Sequence, residues 1–193
     1  GYTDKRLRIN VTDNTIDMID IPQEVKEKFI GGKGYCLRYL WDATKPDTKW
    51  NSPENAITMS AGLIAGITQY GGTGKCLVCS ISPMTDIPID SNVGGYFGPF
   101  LKFSGFDVIE LTGKAEEDVI IVIDGNKGTV SIEKAPLEHK DAHVLGEELT
   151  TMYAEDDNDR KNVAVVCSGS AADHCNLSML NFTFYDPKRN VVR

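Results

Sequence analysis

Eight of the chain's 18 glycines fall between positions 62 and 98, at Gly62, Gly66, Gly71, Gly72, Gly74, Gly94, Gly95 and Gly98. They flank one apolar run, Cys76 to Ile81, so two glycine-rich segments bracket a single strand-like stretch. Main chain without Cβ atoms can turn several N–H groups toward one anion and let a flat ligand come close. Lys75, directly after Gly71-Gly72-Thr73-Gly74, adds a point charge suited to a phosphate. The plainer reading is that these glycines supply the positive φ of tight connections. The sequence leaves both open.

Other chemistry-bearing residues offer less. Gly74-Lys75 imitates a P-loop, but Gln69 stands where the first glycine belongs and Cys76 replaces the magnesium-holding Ser or Thr. Gly32-Lys33-Gly34 lacks the third glycine of a dinucleotide fingerprint, since Leu37 occupies that place. Cys76-Leu77-Val78-Cys79 would need further ligands to hold zinc or a cluster, and in a strand its thiols point to opposite faces, so packing is the better reading. His139 and His143 could meet on one helical turn around Asp141, yet Glu138, Lys140 and Glu147 mark a solvated face. His174 beside Cys175 reads as a lone pair or as a polar residue at a strand end. Ser82, Ser91 and Ser168 sit in turns without a nucleophile elbow, and Asp156, Asp157 and Asp159 form a solvated acidic run. No catalytic side chain emerges.

The elements that must position the glycines follow from periodicity. Leu7, Ile9 and Val11, the turn Thr12-Asp13-Asn14-Thr15, and Ile16, Met18 and Ile19 predict a β-hairpin. Pro22 suits a helix start; Val25 with Phe29, then Leu37, Leu40 and Trp41, predict two short helices or one helix broken at Gly31-Gly32. Strands follow around Ile57 to Ala61 and Cys76 to Ile81. The second half repeats this order: a hairpin turning at Gly125-Asn126-Lys127-Gly128, a helix capped by Asp141, a strand in 162–169, and Cys175 to Phe182 in the place of Cys76 to Ile81. The expected fold is α+β, one domain over 1–193, with a duplicated hairpin, helix and strand unit in pseudo-twofold relation and halves at about 1–98 and 99–193.

Composition bounds the partners. With 193 residues the chain should bury roughly 70% of its unfolded surface. Twenty Lys and Arg against 28 Asp and Glu give a net charge of −8, which disfavours nucleic acid and anionic membranes. No apolar run approaches the roughly 20 residues of a membrane helix. Five unevenly spaced cysteines and the absence of a secretory pattern lead to the expectation of a reducing cytoplasm. Gly1 in place of Met, and an end at Arg193 inside a basic stretch, lead to the expectation of a piece of a longer protein.

Several segments together resemble the N-terminal domain of the tungsten-containing aldehyde ferredoxin oxidoreductases. They are Leu7 to Thr12, Gly31-Gly32-Lys33-Gly34, Ser52-Pro53-Glu54-Asn55, Ser82-Pro83-Met84-Thr85, Asn92-Val93-Gly94-Gly95-Tyr96-Phe97-Gly98, Leu101 to Asp107 and Gly113-Lys114-Ala115-Glu116. The resemblance implies a base on which tungsten, or molybdenum, held by two pterin dithiolenes lies, under two further helical domains that supply the cysteines of a [4Fe-4S] cluster. It implies oxidation of an aldehyde to its carboxylic acid, with two electrons leaving to ferredoxin; the cofactor carries the chemistry while protein supplies position and electrostatics. The fragment alone is expected to be inactive, and a homodimer is compatible with the family.

Residue by residue, the resemblance gives Asn92 a backbone carbonyl on the magnesium that bridges the pterin phosphates. It gives Gly94 and Gly95 the close approach of main chain, and Lys75 the phosphate contact that the family commonly assigns to arginine, whose two-pronged geometry an ammonium lacks. The family's Gly-Pro-Ala-Gly-Glu-Asn stands here as Gly169-Ser170-Ala171-Ala172-Asp173-His174. The chain stops before the family's Ala-Gly-Arg-Gly-Gly loop, and Phe182 to Pro187 departs from its Asn-Asp-x-x-Arg run. The departure at Phe182 to Pro187 leads to the expectation of a divergent branch with a different substrate or reaction. The altered Lys75 and Ala172 positions support an alternative of another class, a non-catalytic anion- or pterin-binding carrier or assembly module.

Overall fold

The computed structural model describes residues 1–138, 141–176 and 180–193. The first hairpin pairs β1 (Lys5–Asn10) with β2 (Thr15–Asp20). Asn14 turns it at φ 53°, a conformation that asparagine tolerates better than most residues. Helices α1 (Gln23–Phe29) and α2 (Lys33–Ala43) follow, parted at Gly31-Gly32, where Gly31 takes φ 151° and Gly32 combines φ 53° with ψ −123°, regions that glycine enters far more readily than other residues. Then come β3 (Ile57–Ala61), β4 (Cys76–Ile81), β5 (Pro88–Val93), α3 (Phe97–Phe103) and β6 (Val108–Thr112).

These strands form one six-stranded sheet in the order β2-β1-β6-β3-β4-β5, antiparallel except for the β1–β6 pair. Alternation along the strands divides the core between two faces. Leu7, Ile9 and Ile109 meet Leu101 and Phe106 on one face. On the other face Val108 meets Tyr35 and Tyr39, while Cys79 and Ile81 meet Cys36 and Leu40 of α2. The first face is completed by Ile121, Ile123, Val130 and Ile132 from the second hairpin, β7 (Val119–Asp124) with β8 (Thr129–Lys134).

The remainder comprises α4 (Ala142–Tyr153), β9 (Ala164–Cys167), β10 (Asn181–Asp186) and β11 (Val191–Val192), the strands joined in the order β11-β10-β9. Asp141 caps α4 as expected, its carboxylate accepting from the His143 and Val144 N–H groups. The fold is α+β, and the order hairpin, helix, strand, strand occurs in both halves. The pairing differs: β6 joins the first hairpin to β3, whereas β7–β8 and β9–β11 form separate sheets among the described residues.

One boundary needs correction. The last strand expected over Cys175 to Phe182 instead runs Asn181–Asp186, because Thr183 and Tyr185 supply its buried face and residues 181–184 pair with β9, while Cys175 and Asn176 lie exposed outside any strand. Among the described residues, no helix is long and apolar enough to cross a membrane.

Candidate functional site

Three strand ends meet at one corner of the large sheet. The antiparallel register sets Ala61 opposite Cys76, and Cys76 opposite Val93. The residues just beyond those ends, Gly62, Lys75 and Gly94, are thereby drawn together. A Cβ built on Gly74 would lie 2.9 Å from the Gly95 carbonyl oxygen, and one on Gly94 would lie 3.8 Å from Lys75 Nζ. The two glycine-rich segments that bracket β4 in sequence are thus in contact.

A third glycine segment closes the same corner. The Gly32 N–H donates to the Ala61 carbonyl at 3.2 Å, and a Cβ on Gly32 would stand 4.0 Å from the Gly62 backbone and from Leu77 Cδ2. Sequence reading gave Gly31 to Gly34 no place in the cradle, because only the pairing of β3 with β4 brings α2's first turn over Gly62. From that turn Lys33 reaches Asp90 at 2.6 Å. Asp90 lies on the same face of β5 as Asn92, two residues on, opposite Cys79 and Leu77 respectively. The hydrogen bond and charge of Asp90 hold the Lys33 ammonium above the ordinary lysine value of 10.5.

The surroundings of each glycine separate the two roles left open by sequence. Gly66 and Gly95 take φ values of 79° and 86°, and a Cβ there would meet Phe103 Cζ at 2.6 Å and Phe184 Cδ1 at 3.1 Å. A Cβ on Gly98 would meet Cys76 Cβ at 3.1 Å. Their bareness serves turns and packing. Gly62 and Gly71 face open space at ordinary φ, and Gly94 meets only the flexible tip of Lys75. Their bareness is available to a ligand. Of the expected site residues, Lys75, Gly94 and Gly95 are therefore adjacent, with Gly95 turned to Phe184, while Asn92 is exposed on the edge strand β5 just before them.

A phosphate-bearing group fits this corner on one observation: Lys75 is exposed beside bare main chain and makes no ion pair with any described residue. The stretch that follows β9 offers no such fit among the described residues. Gly169 leads into the short 3-10 turn Ser170–Asp173, then His174, and residues 169–176 contain no lysine or arginine.

The other candidates resolve as packing or capping. Cys76 faces Gly98 of α3 and Cys79 faces Cys36 of α2, on opposite sides of β4. Burial pushes the Cys76 thiol up to about 12. The neighbouring Cys79 thiol and burial push Cys36 up as well, so Cys36 and Cys76 stay protonated at neutral pH and are poor metal ligands, while the hydrogen bond of Cys36 pulls Cys79 down. Asp141 is occupied as a helix cap, and His139 lies outside the described residues. Asp156 and Asp159 accept backbone N–H bonds within an exposed turn. No group of three or more His, Cys, Asp or Glu among the described residues could hold a metal ion.

The family model described as aldehyde ferredoxin oxidoreductase, N-terminal domain, matches residues 6–192. The tungsten-containing aldehyde ferredoxin oxidoreductase of Pyrococcus horikoshii is 34% identical over 174 residues, 90% of this chain and 28% of that protein. Its counterpart from Pyrococcus abyssi is 37% identical over 123 residues, 64% of this chain and 20% of that protein. Among solved structures, the active-site complex BamBC of benzoyl coenzyme A reductase with 1,5-dienoyl-CoA superposes with a TM-score of 0.79 at 30% identity, over 89% of this chain and 25% of that one. The chain thus spans between a fifth and just over a quarter of the length of these curated relatives. With a family model covering nearly every residue and a shared fold at this identity, the chain belongs to the aldehyde ferredoxin oxidoreductase N-terminal domain family.

Proposed function

We propose that this domain is the cofactor base of a tungsten, or molybdenum, bis-pterin oxidoreductase that oxidises aldehydes to carboxylic acids. The observation that carries the reading is the corner where Lys75, without an ion-pair partner, lies beside the bare main chain of Gly94. Lys75 would bind a pterin phosphate, Gly94 would admit the flat ring system to the main chain, and the Asn92 carbonyl would face the bridging magnesium. Lys33 and Asp90 tie α2's glycine turn to β5 and so hold two walls of the cradle at fixed separation. The bound metal centre supplies the two-electron redox step. This chain's residues bind and orient it, and the electron path through a [4Fe-4S] cluster to ferredoxin belongs to the remaining domains.

The run from Phe182 to Pro187, together with the likeness to a coenzyme A thioester reductase, favours a second reading of the substrate alone: a thioester-linked ring in place of a free aldehyde. The cofactor base is common to both.

The test is metal and pterin analysis of the whole protein purified from anaerobic, tungstate-fed cells. Tungsten with two pterins per chain supports the reading, and a folded protein with neither favours the carrier module. Lys75→Ala should weaken cofactor retention about 30-fold, the equivalent of about 2 kcal/mol for a lost charge-assisted hydrogen bond. Lys75→Arg should retain the cofactor at least as well as the parent. Equal retention by the alanine variant would remove Lys75 from the site.

A further inference from the structure

The cradle is built from the first half of the chain, yet one of its walls rests on the second. Gly95 takes φ 86° and turns the face that lacks a Cβ toward Phe184, where a methyl group would lie 3.1 Å from Cδ1, 3.7 Å from Cε1 and 3.9 Å from Cγ. The next residue, Tyr96, meets the same ring edge-on at 4.9 Å between centroids. One step further, Phe97 meets Phe182 at 5.4 Å, again edge-on. Phe182 and Phe184 are alternate residues of β10, so they project from one face of that strand, while Thr183 and Tyr185 are buried on the other. The hydrogen-bonding of β10 to β9 and β11 fixes the rings independently of the cradle. Among the described residues a second ring, Phe103 of α3, is seated on another glycine of this region, Gly66.

We infer that Phe184 is a positioning residue for the cofactor cradle: its ring, seated on Gly95, sets the distance of the Gly94-Gly95 main chain from Lys75. This inference rests on the cofactor reading of that corner. The physical argument is that a glycine at positive φ has more conformational freedom than any other residue and no side chain of its own to anchor it. Left uncovered, segment 94–97 would sample many conformations, and a bound group would have to order it at a cost in affinity. A flat, stiff ring on the glycine removes those alternatives beforehand.

The experiment compares Phe184→Ala, Phe184→Leu and Phe184→Tyr in the whole protein. Amide hydrogen exchange of peptides spanning 93–97 is read against peptides of β9, and tungsten and pterin per chain are read alongside. Phe184→Leu keeps apolar volume on β10 while removing the ring, so it answers the question even if the alanine variant fails to fold. Expected are exchange over 93–97 about tenfold faster in the leucine and alanine variants, unchanged exchange in β9, reduced tungsten and pterin, and parental behaviour in Phe184→Tyr. Parental exchange over 93–97 in Phe184→Leu overturns the inference alone. So does a tyrosine variant that behaves like the leucine one. A parent protein without tungsten or pterin overturns the cofactor reading itself, and this inference with it.

Discussion

The segments that follow β5 and β9 both leave a strand through glycine, at Gly94 and at Gly169, and then diverge. After β5 the chain passes two glycines, places one of them beside a free ammonium, and enters α3 with Gly98 tight against β4. After β9 it enters a 3-10 turn that ends on Asp173, with no cation within the following residues. What differs is the neighbouring strand end. The β4–β5 pair delivers Lys75 to Gly94 through its register, whereas the β9–β10 pair delivers Asn181 and the aromatic run to the region of Cys167. An anion site thus depends on what the adjacent strand brings more than on the glycines themselves.

The comparison is broken most directly by Gly94→Val against Gly169→Val. Gly94 has ordinary φ and open space, so valine should leave the fold intact while its branched side chain occupies the gap beside Lys75. Expected is near-complete loss of tungsten and pterin from the whole protein at an unchanged unfolding midpoint, with normal loading in Gly169→Val, where φ is −84°. Normal metal content in the Gly94 variant would erase the distinction between the two segments.

A smaller effect sharpens it from the packing side. Gly98 of α3 lies against Cys76 Cβ, and Gly146 of α4 lies so close to β10 that a Cβ would stand 2.5 Å from Thr183 Cγ2. Each half therefore uses one helical glycine to seat a helix on a strand. Gly98→Ala and Gly146→Ala should each cost about 1–3 kcal/mol of stability from overpacking, partly offset by the helix preference of alanine over glycine, about 1 kcal/mol. Denaturant unfolding checks this, with Gly146→Ala the more damaging because its contact is shorter. A stabilised variant at either position would show that the helix can shift.

The smallest effect concerns pH. Lys33 gains a partner in the folded state, so its pKa is raised. The stabilisation from Asp90 is then fully present below the ordinary lysine value of 10.5 and lost as pH rises through the raised one. Thermal unfolding of Asp90→Asn against the parent should show a modest deficit at neutral pH that closes as pH rises beyond the ordinary lysine value. Both partners are partly exposed, at 55% and 29%, so added salt should shrink the deficit too. A deficit that persists unchanged at high pH would assign Asp90 another role.

Much of the local structure is legible in sequence. The strand Cys76–Ile81, the first hairpin and the Asp141 cap follow from alternation and from side-chain oxygens placed before helical runs, which are local properties. Edge strand β5 was not read from periodicity: Pro88-Ile89-Asp90-Ser91-Asn92-Val93 is exposed at nearly every position, so it carries little apolar alternation, and it is a strand because β4 pairs with it. The last strand runs later than the apolar residues of 175–182 predict, for a related reason. The run 175–182 carries scattered apolar residues, but the buried alternation belongs to Thr183 and Tyr185.

By itself the sequence determined the α+β class, the family, and a concentration of glycine around one strand with a lysine between the two clusters. These are matters of residue type and short spacing, which the chain carries whatever its surroundings. Only the tertiary structure decided which glycines are bare toward solvent and which are covered by a ring, that Gly31 to Gly34 shares the corner, and that Phe184 from the far end of the chain rests on Gly95. A glycine is the same residue in either role. What it faces is set by strands pairing and helices packing across tens of residues, and no local pattern encodes that.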